Sequence, residues 1–454
     1  MRITIIGGGI SGLSLAYELL QREASLELLV LEAAERAGGK IWTVRKEGFL
    51  CEAGVNGFLD NKPGTLNLAS RLNIAPLRSD DNSRKRFIFT GGKLRQIPET
   101  PPAFFMSDFM SLSGRLRMIG EFFVPQQKKD DETLEDFAVR RVGREFFEKL
   151  LDPMASGVYA GDPSKLSIRS CFTKVYDLEH KYGGLIKGFM AMAKEKKKTG
   201  KKVEAGPGGV LHSFPGGMYS LIDSIRKSLG DRVLTGKKVK GIEKTGPGYS
   251  VFCEDGSRYE SDIAVIASPA IDTAEMVRDM DKEISSMLKE IPYPPLSVAC
   301  LGFKKDKLQG LDLNCFGYLV PGKEKRKILG TLYDSSIFPD RAPEGYALLR
   351  TMIGGARYPE LAMLDDEKLY GAVLSELKQI MGLNAEPDFM QIFRWERAIP
   401  QYVIGHHERL ARLDAAAEKH KGFYLTGNAY RGVAVNDCIA NSIELAEKIA
   451  SHGG

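Results

Sequence analysis

The sequence predicts an α/β protein with a Rossmann-like dinucleotide-binding unit at its amino terminus. Three observations predict it. Gly7-x-Gly9-x-x-Gly12 falls between an apolar run and a helical pattern. A second apolar run ends in Glu32, where such folds place a ribose-binding acid. The chain then leaves this pattern for a helix-rich stretch and returns to strands and a final helix near its end.

The elements follow in order. Ile3 to Ile6 is short, apolar and β-branched, as a buried strand requires. Leu13 to Leu20 has helical apolar spacing, and Leu26 to Leu31 is the second strand. From about Pro98 to Lys202 the chain is rich in helix formers, Phe and Met, with a break expected near Pro153. Lys194 to Lys202 and Ala205-Gly-Pro-Gly-Gly209 are expected to be a mobile surface loop. Short strands follow at Lys238–Ile242, Ser250–Cys253 and Asp262–Ala267, with Asp255-Gly256 as a hairpin turn between the last two. The segment 296–355 reads as strand-rich. Phe423 to Asn428 is a strand entering a turn, and Ile439, Ile443, Ala446 and Ile449 mark a closing helix.

Composition limits the function. The 454 residues allow two or three domains. A net charge of +5 is too mild to argue for nucleic acid. The six cysteines are scattered without a C-x-x-C pair, which disfavours a disulfide framework or a zinc site. Among the histidines only His406 and His407 are close in sequence, and adjacent residues do not make a metal site. No secretory leader is expected, because an apolar strand and glycine turn begin immediately after Arg2. No apolar run reaches the ~20 residues that span a bilayer.

The glycines suit phosphate binding. Gly7 allows a tight turn, Gly9 lets a pyrophosphate approach the backbone, and Gly12 lets helix and strand pack closely. The helix start offers free N–H groups and partial positive charge. Glu32 disfavours NADP, whose extra phosphate it would repel. FAD rather than NAD is argued by Arg36-x-Gly38-Gly39-Lys40, by Glu52-x-Gly54, and by Gly427-Asn428 with Gly432-Val-Ala-Val435 before the last helix. That helix start can stabilise negative charge on a reduced flavin. A plainer reading makes it a surface helix capped by Asn436-Asp437.

Through these motifs together, the chain resembles the flavin amine oxidase superfamily, and within it the branch that oxidises porphyrinogens. The stretches that carry the resemblance are Asp152-Pro-Met-Ala-Ser-Gly-Val-Tyr-Ala-Gly-Asp162, Leu166-Ser-Ile-Arg-Ser-Cys-Phe172, Arg86-Phe87 before Gly91-Gly92, Ala398-Ile-Pro-Gln-Tyr402 with Gly405-His406, and Gly432-Val-Ala-Val-Asn-Asp-Cys438. The last resembles the animal and myxobacterial type, which implies protoporphyrinogen IX rather than coproporphyrinogen III. The resemblance implies a discontinuous FAD domain (1–75, 212–290 and 408–454), a mixed-sheet substrate domain (76–98 and 291–407) and a helical, membrane-contacting domain (99–211).

It also implies site residues. For FAD these are Gly7, Gly8, Gly9, Ile10, Ser11, Gly12, Glu32, Lys40, Gly54, Val55, Asn56, Gly57, Val239, Val433, Ala434 and Val435. For substrate they are Arg86, Gly157, Phe316, Leu319, Leu332 and Met352. Arg86 would pair a propionate, the Gly157 carbonyl would accept from pyrrole N–H groups, and the four apolar side chains would hold the macrocycle. Read without the resemblance, those four are ordinary core and Arg86 is part of a solvated cluster, Arg84-Lys-Arg86. No catalytic acid or base and no metal ligand is assigned, because the flavin carries the chemistry. The chain departs from the family pattern at Val55, where Pro is common, and at His407, where animal members have a Trp beside the flavin. No Ser-Gly-Gly-Cys motif is present, so FAD is expected to be non-covalent.

Oxygen is the implied acceptor, a homodimer is an open option, and the expected location is cytoplasmic with peripheral contact to the cytoplasmic membrane. That contact rests on Phe104, Phe105, Met106, Phe109, Met110, Met118, Ile119, Phe122 and Phe123, together with the Lys-rich stretch 194–202. The rivals are coproporphyrinogen III oxidation, for which Lys93 or Arg95 could serve extra propionates, an amine or carotenoid oxidoreductase, and a non-catalytic binder like the GDP-dissociation inhibitors of prenylated GTPases.

Overall fold

The computed structural model describes residues 1–127, 129–199 and 209–452. The amino-terminal unit is a five-stranded parallel sheet in the order Val233–Leu234, Glu27–Leu31, Arg2–Ile6, Ile263–Ile266, Phe423–Leu425. Its strands are apolar throughout because both faces are covered. Ile3, Ile5, Leu28 and Val30 pack with helices Ile10–Arg22, Tyr219–Leu229 and Val435–His452. Ile6, Leu31, Ala264 and Ile266 point the other way, toward Val239, Ala274, Ile284 and Leu413. The strand period of two thus feeds two cores from one sheet.

A seven-stranded mixed sheet runs Phe389–Trp395, Leu296–Lys304, Tyr346–Gly354, Ile328–Leu332, Gly317–Leu319, Arg86–Thr90, Lys93–Gln96. One of its pairings is parallel, between Gly317–Leu319 and Arg86–Thr90. Helix Asp366–Met381 buries Leu369, Val373 and Leu377 against one face, with Leu301, Phe303, Tyr318 and Leu349. The opposite face carries the candidate site.

The region after Gln96 is helical, as its composition predicts. The break expected at Pro153 is instead a π-helical turn, Phe147–Leu151, running into helix Asp152–Tyr159. Pro153 occupies the first turn of that helix, where its missing N–H costs least. The part of the expected loop from Lys194 to Thr199 is helical instead. Lys and Glu are good helix formers, and helix Leu185–Thr199 extends through them. Residues 200–208, the rest of that expected loop, lie outside the described residues.

The hairpin at Asp255-Gly256 also differs. Strand Gly248–Cys253 turns back into Arg258–Ser261, not into the strand near Asp262–Ala267. That later strand, Ile263–Ile266, joins the parallel sheet beside Arg2–Ile6. Asp255 shapes the turn by accepting from the Ser257 N–H at 2.9 Å.

The aromatic and Met residues of the helical region divide. Phe104, Phe109 and Met110 are buried around Ile88, and Met118 packs partly against them. Met106, Ile119, Phe122 and Phe123 are exposed, Met106 and Phe123 by more than four-fifths (86% and 81%). The side chain of Phe105 lies outside the described residues. No helix among the described residues is long and apolar enough to cross a membrane.

Candidate functional site

The glycine turn has the predicted construction. Gly7 has φ near +111°, which favours glycine. A side chain on Gly12 would lie 2.0 Å from the Gly7 carbonyl oxygen, so helix and turn touch only because Gly12 has none. A side chain on Gly9 would project into open space at the start of helix Ile10–Arg22. No side chain caps that helix, so its first N–H groups around Ile10, Ser11 and Gly12 are not taken by a neighbouring acid.

Glu32 stands beside this turn. Its carboxylate accepts from the Gly8 N–H at 2.8 Å and the Ala34 N–H at 2.9 Å, which fixes its position. The Lys237 N–H donates to the Glu32 carbonyl at 2.8 Å, so the segment leading to Val239 runs alongside. Arg36 donates to the Gly39 carbonyl at 2.9 Å, while its other terminal nitrogen is buried without a partner. Lys40 is held near the ring of Tyr293, 5.4 Å from its centroid, and burial lowers its pKa to about 8. A buried guanidinium N–H without a partner, a half-buried, desolvated lysine and an open helix start fit an anionic dinucleotide.

The loop Gly54–Gly57 is tied to the large sheet by buried polar groups. Arg350 donates to the Gly54 carbonyl at 2.9 Å, and its Nε lies 3.0 Å from Asp334. Asn56 donates to the same Asp334 at 3.2 Å, and its own carbonyl oxygen is buried without a partner. Trp395 donates to the Ala53 carbonyl at 2.8 Å. Glu52 accepts from the Met218 N–H and the Thr43 hydroxyl, both at 2.7 Å, and burial pushes its pKa up to about 7. Sequence reading missed Arg350 and Asp334. A single arginine inside the apolar strand Tyr346–Gly354 was the available signal.

The register of the large sheet gathers the predicted substrate residues. Arg86 pairs with Gly317, Ile88 with Leu319, Gly317 with Leu332, and Gly330 with Met352. Paired residues share a face, so Arg86, Leu319, Leu332 and Met352 point to one side. Tyr318, Thr331 and Thr351 point to the other, where their hydroxyls bond to one another. Leu319, Leu332 and Met352 are partly exposed on their face. Gly157, on helix Asp152–Tyr159, comes so close that a side chain on it would lie 3.1 Å from Leu319. The helical region therefore roofs this face.

Phe316 lies just before its strand, and the Arg86 guanidinium stacks over its ring at 4.9 Å. Arg86 has no carboxylate partner among the described residues. Its surface is open, yet the surrounding protein desolvates the guanidinium and lowers its pKa. It borders a cavity of about 260 Å³ with Ser79, Ser83 and Leu211. Arg95, which shares its face through Ile88, is paired with Asp108 at 2.9 Å.

The carboxyl-terminal motif behaves differently from the capped-helix reading. Asn436 does not cap its own helix. It accepts from the Thr65 N–H at 3.2 Å and donates to the Leu59 carbonyl at 2.8 Å, clamping the start of helix Gly64–Arg71. Asp437 pairs with Lys62. Val433 and Ala434 stay partly or fully exposed, and Val435 is buried. Ser442 donates to the Ser11 carbonyl at 2.9 Å, so the last helix lies along the first. His407 is exposed against Arg169, at 2.9 Å. All six cysteines are free, and no metal-binding cluster occurs among the described residues.

Residues 10–450 match the model of the flavin-containing amine oxidoreductases. The chain is 32% identical over 452 residues to the coproporphyrinogen III oxidase of Bacillus subtilis (strain 168), covering 96% of this chain and 95% of that protein. It is 33% identical over 474 residues to the chloroplastic protoporphyrinogen oxidase of Oryza sativa subsp. japonica, covering 99% and 88%. A crystal structure from Exiguobacterium sp. 255-15 superposes with a TM-score of 0.84 at 25% identity, covering 99% of both chains. Putrescine oxidase, at a TM-score of 0.74 and 14% identity over 99% of each chain, shares the fold.

Proposed function

The chain belongs to the flavin-containing amine oxidoreductase family, and from that premise we propose that it is an FAD-dependent enzyme oxidising protoporphyrinogen IX to protoporphyrin IX. Bound FAD supplies the electron acceptor for removal of hydride from the macrocycle. The rest is placement by this chain. The glycine turn, Glu32, Arg36 and Lys40 hold the dinucleotide. Leu319, Leu332 and Met352 give the flat apolar ring an apolar wall, and the Gly157 carbonyl accepts from its pyrrole N–H groups. Arg86 takes a propionate.

The observation that carries this reading is Arg86 itself. A cation that the surrounding protein partly desolvates, beside Leu319, Leu332 and Met352 and with no carboxylate partner among the described residues, calls for an anionic group on an apolar ligand. Coproporphyrinogen III, with two more carboxylates, is the second reading. The neighbouring cation on that face, Arg95, is already neutralised by Asp108, which favours the dicarboxylate.

Oxygen as acceptor, the three-part domain division given above, cytoplasmic placement, a homodimer and peripheral membrane contact through 100–205 belong to the same proposal. The exposed Met106, Ile119 and Phe123 support the membrane contact. The test is steady-state kinetics of the yellow protein. Arg86→Ala is expected to raise KM for protoporphyrinogen IX by about 10- to 100-fold while leaving the flavin spectrum intact. An unchanged KM would return Arg86 to the solvated cluster and remove the main support.

A further inference from the structure

A cavity of about 930 Å³ lies inside the helical region. None of the cofactor or porphyrinogen residues named above lines it. Its interior is formed by apolar side chains such as Leu134, Phe137, Leu150, Met154 and Leu178. Protein interiors pack densely, and an apolar space this large is neither a packing defect nor a good place for water. Its size falls within the range of small-molecule pockets, about 300–1,000 Å³.

The mouth is apolar as well. Ile119, Tyr182 and Phe189 line the cavity and are also exposed, at 52%, 37% and 47%. A flexible chain can therefore enter over them. Two cations stand at the rim. Lys174 and Lys181 are seven residues apart on helix Thr173–Tyr182, so they share a helix face, and neither is ion-paired among the described residues. Of the acids along the wall, Glu121 is occupied by the Leu185 and Ile186 N–H groups, at 2.7 and 3.0 Å, and by Arg141. Asp177 and Glu195 also line the cavity.

This pattern does not suit the porphyrinogen. A macrocycle brings polar N–H groups that the apolar interior cannot satisfy. A single alkyl chain with one anionic end suits it. We propose that the cavity is a binding site for one long-chain fatty acid, its alkyl chain inside and its carboxylate at Lys174 and Lys181.

The test uses the FAD-loaded protein and cis-parinaric acid, a fluorescent fatty acid, below its micelle-forming concentration. The expected result is one saturable site per chain, emptied by palmitate. Met192→Trp fills the cavity from helix Leu185–Thr199 and is expected to weaken binding at least tenfold. Lys181→Glu changes an exposed rim residue without touching the packing. It is expected to weaken the acid several-fold and leave the methyl ester unchanged. Binding that does not saturate, or that survives in a folded, yellow Met192→Trp protein, would overturn the site. Equal affinity of Lys181→Glu for the acid would overturn the placement of the carboxylate. Displacement by phosphatidylcholine vesicles but not by palmitate would show a membrane lipid in place of a fatty acid.

Discussion

Lys40 shows what single residues contribute. It is half-buried with no ion-pair partner among the described residues, and desolvation, opposed in part by Asp272, holds its ammonium below the usual range, at about 8. A base whose folded pKa is lowered favours its neutral form, so the FAD-free protein is stabilised as pH rises from about 8 toward the unfolded value of ~10.4. With Lys40 at the dinucleotide as proposed, FAD binding runs the other way, because a diphosphate favours the charged form. FAD affinity is therefore expected to fall as pH rises through about 8, and to lose this pH dependence in Lys40→Met. Titration of FAD-free protein with FAD between pH 7 and 9.5 checks it; a parallel pH dependence in both proteins would remove Lys40 from the cofactor site. The residues of the glycine turn were legible because their spacing is local. Arg350, Asp334 and Asn56 were not, since the partners are separated by up to 296 positions and meet only after folding.

Among the elements, helix Leu185–Thr199 depends on a distant acid. Glu121 accepts from the first N–H groups of that helix and also faces the fully buried Arg141. Arg141 in turn donates to the carbonyls of Val124 and Gly183 at 2.8 and 2.9 Å. Removing the acid uncovers both the helix start and a buried cation. Glu121→Ala is expected to cost about 3–5 kcal/mol in the helical region. Hydrogen exchange should show faster opening of residues 185–195 than of the parallel sheet; equal protection in variant and parent would assign Glu121 a minor role. Helix periodicity and strand alternation located the opening strand–helix–strand unit, the strands near 238–267, the strand at Phe423 and the closing helix. They could not show the π turn before Pro153, where Phe146 and Leu150 pack against Ile88 of Arg86–Thr90. Nor could they show which strand Gly248–Cys253 pairs with, because Arg258–Ser261 is too short to stand out.

For the whole molecule, two sheets and a helical roof converge on one face. The cofactor half was readable from motifs, whereas the proposed substrate face was readable only through family resemblance, since Leu319, Leu332 and Met352 look like core residues in sequence. The exposed Met106, Leu116, Ile119 and Phe123 lie on the same helical region. The protein is expected to float with anionic liposomes at low salt and to float less at high salt. Protein that stays at the bottom of the gradient at low salt would remove the peripheral contact. The central claim is tested most directly by anaerobic mixing of the purified, FAD-loaded protein with each porphyrinogen in turn. Protoporphyrinogen IX is expected to bleach the flavin absorbance rapidly, with coproporphyrinogen III slower. Faster bleaching by coproporphyrinogen III would reverse the substrate assignment, and no bleaching by either would contradict porphyrinogen oxidation altogether.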